Sequence, residues 1–134
     1  MYKRQAFVLP NSRDRYNALY ERVEFYENNG TLINEVLYRT NGTRYQRKEY
    51  RSDGILKVME YFDTNSRIVK REDYYSDGRT KYKIIYYKPG GDFDRAEIYR
   101  LGGTLERVVY YRTNTEIKRT EHYDTQGNLV RTTY

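Results

Sequence analysis

Hydrophobic and polar positions alternate along most of this chain, and the alternation restarts every twelve residues. The stretch from Tyr38 to Phe62 shows the unit: an aromatic residue, a turn ending in Asn41-Gly42 or Asp53-Gly54, and then a run with apolar residues at a period of two. Such runs, bounded by recurring turn signals, predict β-strands and not helices. A fixed repeat length predicts a repeat architecture.

Each predicted strand from Leu19 onward ends in an aromatic residue, which we call its closing aromatic. The closing aromatics are Tyr26, Tyr38, Tyr50, Phe62, Tyr74, Tyr86, Tyr99, Tyr111 and Tyr123. One extra residue separates Tyr86 from Tyr99, and we assign it to the turn Lys88–Gly91. The turns end at Gly30, Gly42, Gly54, Ser66, Gly78, Gly91, Gly103, Thr115 and Gly127. Asn-Gly and Asp-Gly suit a three-residue hairpin loop whose glycine has a left-handed backbone.

Consecutive hairpins of this kind predict an all-β fold. We expect an open antiparallel up-and-down β-meander of about ten strands, which is near the usual limit for an open sheet. Hydrophobic residues make up only 37% of the chain, too few for a thick two-layer core, so the sheet should be largely a single layer. We divide the chain into an irregular lead-in, residues 1–18, and the repeat meander, residues 19–134.

The hairpin loop also predicts which residues face each other on neighbouring strands. Each closing aromatic should face the second residue after the next turn, and the register should continue unbroken along both strands. Opposite charges facing each other stabilise a strand pair. This register creates six such pairs, namely Glu60–Lys70, Glu97–Arg107, Glu121–Arg131, Glu35–Arg47, Glu49–Lys57 and Asp73–Lys81.

On this register the closing aromatics form ladders along the two margins of one face. Broad tyrosine ladders are typical of surfaces that contact proteins or glycans. The candidate binding surface therefore consists of Tyr38, Tyr50, Phe62, Tyr74, Tyr86, Tyr99, Tyr111 and Tyr123.

No combination of residues indicates an active site, so we predict a protein that is not an enzyme. His122 is the single histidine and cysteine is absent, which leaves a catalytic dyad without a partner. Asp92 and Asp94 could bind a cation weakly, but we predict no metal or other cofactor. Turn chemistry explains the positions of Ser12, Ser52, Ser66, Ser76, Asp53, Asp63, Asp77 and Asp124.

The charge distribution favours a protein partner over nucleic acid or membrane. The net charge of +6 is spread along the chain without a run of five or six like charges. Basic residues among aromatics could bind single-stranded nucleic acid, but here they have predicted carboxylate partners, so we consider it unlikely. No apolar run approaches the roughly 20 residues that span a bilayer. Without a secretion signal or cysteine, a cytoplasmic location is predicted.

The repeat units Tyr61–Ile68 and Tyr123–Leu129 resemble the extended β-meander domain inserted in a group of bacterial GT-B glycosyltransferases. These enzymes modify serine-rich adhesins or wall teichoic acid, and a GT-B-like companion protein of the accessory secretion system carries a similar insert. The resemblance covers Leu19–Tyr134. It implies a non-catalytic sheet that contacts an acceptor polypeptide or mediates subunit assembly within a larger glycosyltransferase-like protein. It carries over no catalytic residue.

Two further expectations concern the repeat class and the chain ends. Tyr-Asp or MORN-like repeats of toxin–antitoxin or cell-surface proteins share the Tyr and Gly rhythm and are the alternative, although MORN units would also carry Trp, which is absent. Met1–Gln5 resembles the translated transposon end used in preparing sequencing libraries. We therefore expect these residues to lie outside the fold, and the chain to be a metagenomic fragment truncated near Tyr134.

Overall fold

The computed structural model describes residues 2–13 and 19–134, with side chains from residue 21 onward. Within this part the chain forms one antiparallel sheet of 11 strands in sequence order, and no helix. The backbone of each strand packs only against that of its neighbours, so the sheet is a single layer. The predicted up-and-down meander is confirmed. The strands are β1 (Tyr2–Arg13), β2 (Leu19–Tyr26), β3 (Leu32–Arg39), β4 (Arg44–Tyr50), β5 (Leu56–Phe62), β6 (Ile68–Tyr74), β7 (Lys81–Tyr87), β8 (Phe93–Tyr99), β9 (Leu105–Thr113), β10 (Glu116–Tyr123) and β11 (Leu129–Thr133).

Strand β1 lies where the sequence predicted an irregular lead-in. It pairs with β2 from Tyr2 onward, with register shifts between Lys3 and Ala6 and between Val8 and Arg13. A sheet edge offers unpaired N–H and C=O groups, and pairing with them extends a segment that lacks the repeat pattern. Strand β1 includes residues 2–5, which were expected outside the fold, and Tyr2 and Lys3 pair with β2. Residues 14–18 lie outside the described part, and the division at residue 19 stays a prediction.

The predicted hairpin loop is confirmed at the turns ending in Gly30, Gly42, Gly54, Ser66, Gly91, Gly103 and Gly127, and the turn after β4 shows its geometry. The N–H of Arg51 donates to the carbonyl of Ile55 at 2.8 Å, and the N–H of Gly54 donates back to the carbonyl of Arg51 at 2.9 Å. Gly54 has φ 84°, in the left-handed region that glycine enters without strain. The carboxylate of Asp53 accepts from the N–H of Ile55 at 3.0 Å, as expected for a turn residue. The prediction was wrong for the turn ending at Thr115, where Thr113 pairs directly with Glu116 and the loop has two residues.

Every hairpin from the β2–β3 pair onward contains an irregularity beyond its turn, a β-bulge that we call the second bulge to distinguish it from the turn itself, and it breaks the predicted register. Tyr50 faces Leu56 as predicted, but Glu49 faces Val58, so Lys57 is the extra residue of a β-bulge. The same shift recurs from the β2–β3 pair to the β10–β11 pair. A bulge re-aims the following side chains and increases the local twist. The prediction that the pairing continues unbroken beyond the closing aromatic was therefore wrong.

The six predicted charge pairs change partners as a result. Glu49 and Lys57 still form an ion pair at 3.3 Å, although they no longer face each other. The observed facing partners are Arg71 for Glu60, Val108 for Glu97, Thr132 for Glu121, Lys48 for Glu35, Val58 for Glu49 and Lys83 for Asp73.

The extra residue of the repeat lies in the turn after β6, not in Lys88–Gly91. There the N–H of Tyr75 donates to the carbonyl of Thr80, one residue further than in the other turns, whereas Lys88 pairs with Asp92 at the regular spacing. The Asp77 carboxylate accepts from the N–H groups of Arg79 and Thr80 and thereby holds the longer loop. The closing aromatic of β7 is consequently Tyr87, which faces Phe93, and not Tyr86.

The bulges also decide which side chains share a face. Each bulge reverses the alternation, so equivalent positions on successive strands point to opposite faces. Face A contains a core cluster of Ile85, Ala96 and Val109, against which Tyr87, Phe93, Ile98 and Tyr111 pack. Face B is the opposite side and includes the buried residues Glu72, Ile84 and Val108.

Turns on the same margin are tied together across two strands. The guanidinium of Arg39 donates to the carbonyls of Phe62 and Asp63, both at 2.9 Å. Arg100 repeats this contact with the carbonyl of Tyr123 at 2.7 Å. These bonds satisfy backbone acceptors at the rim and hold the turns in place.

Candidate binding surface

The closing aromatics predicted to form one surface are divided between the two faces. Successive strands place them alternately on face A and face B because of the second bulge, so the prediction of a shared face was wrong. Their binding role stays a prediction. Face A carries Tyr38, Phe62 and Tyr111, and face B carries Tyr50, Tyr74, Tyr99 and Tyr123, together with Tyr86.

Face B carries a cluster of four side chains on the β5–β6, β7–β8 and β9–β10 pairs. Each cluster contains a glutamate, the tyrosine two residues after it, the cation two residues before it, and a tyrosine of the preceding strand. We call these the Tyr–Glu clusters. The first is Tyr61, Lys70, Glu72 and Tyr74; the second is Tyr86, Arg95, Glu97 and Tyr99; the third is Tyr110, Arg119, Glu121 and Tyr123.

Sequence reasoning missed these clusters, although a signal was present. The motif Lys/Arg-x-Glu-x-Tyr occurs at residues 22–26, 70–74, 95–99 and 119–123, always an even number of repeat units apart, while the corresponding residues 46–50 lack it. A search at twice the repeat length would have found it.

The first cluster surrounds a buried carboxylate. The hydroxyls of Tyr61 and Tyr74 each donate to Glu72 Oε1 at 3.0 Å. The ammonium groups of Lys81 and Lys70 lie 2.7 and 3.4 Å from Oε2. Burial raises the pKa of Glu72, but hydrogen bonds from Lys81, Tyr61 and Tyr74 outweigh it and hold that pKa below its usual value. The charge is thus fully compensated.

The second cluster is more open. Tyr99 and Tyr86 donate to Glu97 Oε1 at 3.0 and 3.3 Å, while Arg95 lies 4.0 Å from Oε2. Leu105 faces Tyr99, in the place that Lys81 has in the first cluster, so no second cation compensates Glu97 from there. Burial and the hydrogen bond to Glu97 raise the pKa of Tyr99 to about 12.

The third cluster repeats the second at the far side of the sheet. The Tyr123 hydroxyl donates to Glu121 Oε1 at 3.2 Å, and Arg119 Nε lies 3.4 Å from Oε2. Leu129 faces Tyr123, as Leu105 faces Tyr99 in the second cluster.

The cation of each cluster lies over the ring of the tyrosine on the preceding strand. A cation within about 6 Å of a ring centroid is attracted by the ring. About a third of each cationic side chain is exposed, so these stacks contribute to the surface that face B presents to solvent. The centroid distances are 4.5 Å for Lys70 over Tyr61, 4.0 Å for Arg95 over Tyr86 and 3.9 Å for Arg119 over Tyr110.

The remaining candidates have structural partners. His122 faces Arg131, and its Nε2 lies 3.4 Å from the hydroxyl of Thr133. Asp92 accepts a hydrogen bond from the side chain of Asn114 at 3.2 Å. Among the described residues, no group of three or more His, Cys, Asp or Glu could hold a metal ion. The described part also contains no helix long and apolar enough to cross a membrane.

Solved structures share this fold, and three of them are described below. The GtfA/B complex bound to UDP and GlcNAc matches 72% of this chain with a TM-score of 0.55 and 21% identity. Accessory secretory proteins 1, 2 and 3 of Streptococcus pneumoniae match 74% with a TM-score of 0.54, and the Gap123 glycosylation-associated complex of Streptococcus agalactiae matches 74% with a TM-score of 0.53, both at 17% identity.

The matched region is a small part of those proteins. It covers 21% of the GtfA/B chain and 18% of each of the other two chains. No protein-family model matches this chain, and neither does any curated protein. The matches are related to the GT-B glycosyltransferases and accessory-secretion proteins of the sequence resemblance, and at these identities they establish a shared fold.

Proposed function

We propose that this chain is a non-catalytic, polypeptide-binding sheet of a larger bacterial glycosyltransferase-like protein in the cytoplasm. The fold match carries the proposal: the meander corresponds to about a fifth of the length of chains in complexes that are described as glycosylation-associated, accessory-secretory, or bound to UDP and GlcNAc. A module of this size within such proteins is suited to hold a partner or an acceptor while another domain performs chemistry.

The character of face B supports this proposal. Tyrosine and arginine are enriched at protein interfaces, where they supply large contact areas together with hydrogen-bond donors. The Tyr–Glu clusters bring these residue types to one face, in contacts that fix the side chains before a partner arrives. A prearranged surface loses less side-chain entropy when it binds.

Binding of the protein to an unstructured serine-rich polypeptide, measured by biolayer interferometry, tests the proposal. We expect saturable binding to the polypeptide and weaker binding to a folded protein of similar charge. Light scattering after gel filtration measures self-association in parallel. A monomer without affinity for the polypeptide would contradict the proposal.

Calorimetric titration with UDP tests the non-catalytic part. We expect no binding heat, because donor binding would reside elsewhere in the larger protein. Binding of UDP, or turnover of UDP-GlcNAc by this chain alone, would overturn this part.

A further inference from the structure

We propose that face B binds a polypeptide in the polyproline II conformation, laid across the strands, with an acidic residue at every third position. This inference rests on the proposed function and specifies its partner. The three Tyr–Glu clusters carry it, because they present the same groups at a regular interval along the sheet.

The interval matches the pitch of one backbone conformation. Equivalent clusters lie two strands apart, and neighbouring strands are about 4.8 Å apart, which gives about 9.6 Å per cluster. A polyproline II helix rises about 3.1 Å per residue with three residues per turn, or about 9.3 Å per turn. Every third residue of such a peptide would therefore meet an equivalent cluster from the same side.

Other regular conformations do not fit the interval. An α-helix rises about 5.4 Å per turn, so a cluster spacing would cover a non-integral number of turns. Three residues of a β-strand span a similar length to three of polyproline II, but successive β side chains alternate between opposite sides. In a β-strand peptide with an acidic residue at every third position, successive acidic side chains would therefore point to opposite sides. Only every second cluster would then meet one of them.

The chemistry of the clusters complements such a peptide. A polyproline II backbone makes no internal hydrogen bonds, so its carbonyl groups need donors from the partner. Arg95 and Arg119 each carry five N–H donors, and each is about a third exposed. The rings of Tyr86 and Tyr110 lie beneath these guanidinium groups and hold them in place.

Charge decides the preferred side chain of the peptide. In the first cluster two cations, Lys70 and Lys81, surround the single carboxylate of Glu72. The Tyr86 and Tyr99 hydroxyls donate hydrogen bonds to Glu97, so Arg95 is not the sole group that compensates the charge of Glu97. The net charge of the chain is +6. An acidic residue at every third position would give each cation a further acceptor beside the cluster glutamates, of which Glu97 and Glu121 are 22% and 20% exposed.

Among the side chains described from residue 21 onward, face A shows no comparable repeat. Its ion pairs, Arg47 with Glu60 and Arg71 with Asp73, lie on β4 to β6, and the apolar core cluster replaces them on β7 to β9. A repetitive ligand would therefore distinguish the two faces, which provides the control for the experiment.

Two synthetic peptides of equal composition test the proposal. One, about 18 residues long, repeats Pro-Pro-Glu, so that its carboxylates fall on one side of the polyproline II helix. The other contains the same residues in an order that spreads the carboxylates around the helix. Fluorescence anisotropy should show that the in-phase peptide binds at least ~10-fold more tightly, because several clusters engage it at once.

Paired variants locate the binding. The double variant Arg95→Gln with Arg119→Gln should remove most of the preference for the in-phase peptide. The matched control is Arg107→Gln with Arg131→Gln, which changes the net charge equally but lies on face A, and it should keep the preference. Circular dichroism confirms that both variants keep the β-sheet.

The outcomes separate this inference from the proposed function. Equal affinity for the two peptides, or loss of the preference in the face A control, would overturn the inference. So would binding of the serine-rich polypeptide with no binding of either proline peptide, which leaves the proposed function intact. Binding of an oligosaccharide that depends on Arg95 and Arg119, without any peptide binding, would assign face B to glycans and overturn both.

Discussion

Glu72 shows how a thin sheet accommodates a buried charge. Its side chain is 2% exposed, yet four donors from three strands or turns surround its two oxygens. Burying a carboxylate is costly unless it is both paired and hydrogen-bonded. The Tyr61 and Tyr74 hydroxyls and the two lysines meet that condition. The first Tyr–Glu cluster is therefore a structural link between β5, β6 and β7 as well as part of the surface.

We predict that Glu72→Gln destabilises the protein by about 1–3 kcal/mol at neutral pH, since hydrogen bonds to a charged group are lost. The depressed pKa of Glu72 means that its contribution is present above the usual glutamate value and is lost as the pH falls through the folded-state value. The difference between wild type and variant should therefore shrink below about pH 4. Urea unfolding across pH measures this difference.

Glu121→Gln is the matched control for that prediction. It removes a carboxylate from the same motif, but the Glu121 side chain is 20% exposed and lacks the second cation. A smaller loss of stability is expected. Equal losses of stability in the two variants would show that the burial of Glu72 and its contact with Lys81 add no stability to the first cluster.

The hydroxyl group of Tyr99 makes the stability of the folded protein depend on pH in the alkaline range. Its pKa is raised to about 12, so its contribution is present below the usual tyrosine value of about 10 and is lost as the pH rises through about 12. We expect Tyr99→Phe to cost about 1 kcal/mol near neutral pH and to reduce the loss of stability above about pH 10. Urea unfolding at neutral pH and at about pH 11 measures both effects.

Tyr111→Phe is the control for the hydroxyl of Tyr99. The Tyr111 ring packs on Phe93 with centroids 5.3 Å apart, a contact that phenylalanine preserves. We expect little change at either pH. An alkaline effect as large as that of Tyr99→Phe would contradict the assignment to the Glu97 hydrogen bond.

At the scale of the strand and turn, the glycines are not equivalent. Gly54 and Gly78 both have a left-handed backbone, with φ 84° and 69°. A Cβ on Gly54 would meet nothing within 4 Å, whereas one on Gly78 would lie 2.5 Å from the Cγ2 of Ile55. We predict that Gly54→Ala costs about 1–2 kcal/mol from the backbone alone and that Gly78→Ala costs more. Thermal unfolding of both variants compares them, and equal costs would contradict a role for Ile55.

The repeat made the strands, the turns and their order predictable from sequence. Asp53 and Gly54 fix a hairpin through local chemistry that the sequence displays directly. The second bulge was not predictable, because no residue type marks it: its position is occupied by Lys57 in one hairpin and by Ile33 in another. Since that bulge decides which face a side chain takes, the composition of the surface could not be derived from the repeat.

The position of the extra residue was also ambiguous in the sequence. Tyr86 and Tyr87 are both aromatic, and the turns on either side of them both contain glycine, so the repeat could be aligned in two ways. The contacts of Asp77 with the backbone of Arg79 and Thr80 select one of them. The Tyr–Glu clusters depend on that choice, because it puts Tyr86 next to Glu97.

At the scale of the whole molecule, stability is distributed along one dimension. The backbone of each strand packs only against its neighbours, and side-chain contacts within the described part reach at most two strands away, so local unfolding should proceed from an edge inward and not as one cooperative event. Leu129 and Val130 on β11 are 53% and 59% exposed, while Ala96 on β8 is fully buried. We predict that amides of β11 exchange with deuterium at least ~100-fold faster than those of β7 and β8.

Hydrogen exchange read by mass spectrometry checks this gradient. Protection should rise from β11 through β10 to the face A core cluster. Uniform protection across β5 to β11 would indicate a single cooperative unit and contradict the prediction.

Because of the second bulge, the arrangement of side chains on a face repeats every two units, whereas the sequence repeats every unit. A unit of twelve residues repeats in the chain, but only every second unit returns a side chain to the same face. Gain or loss of one unit would turn every later cluster over to the opposite side, whereas gain or loss of two would preserve the surface. Repeat number in chains of this kind should therefore vary in steps of two wherever one face has a function to keep.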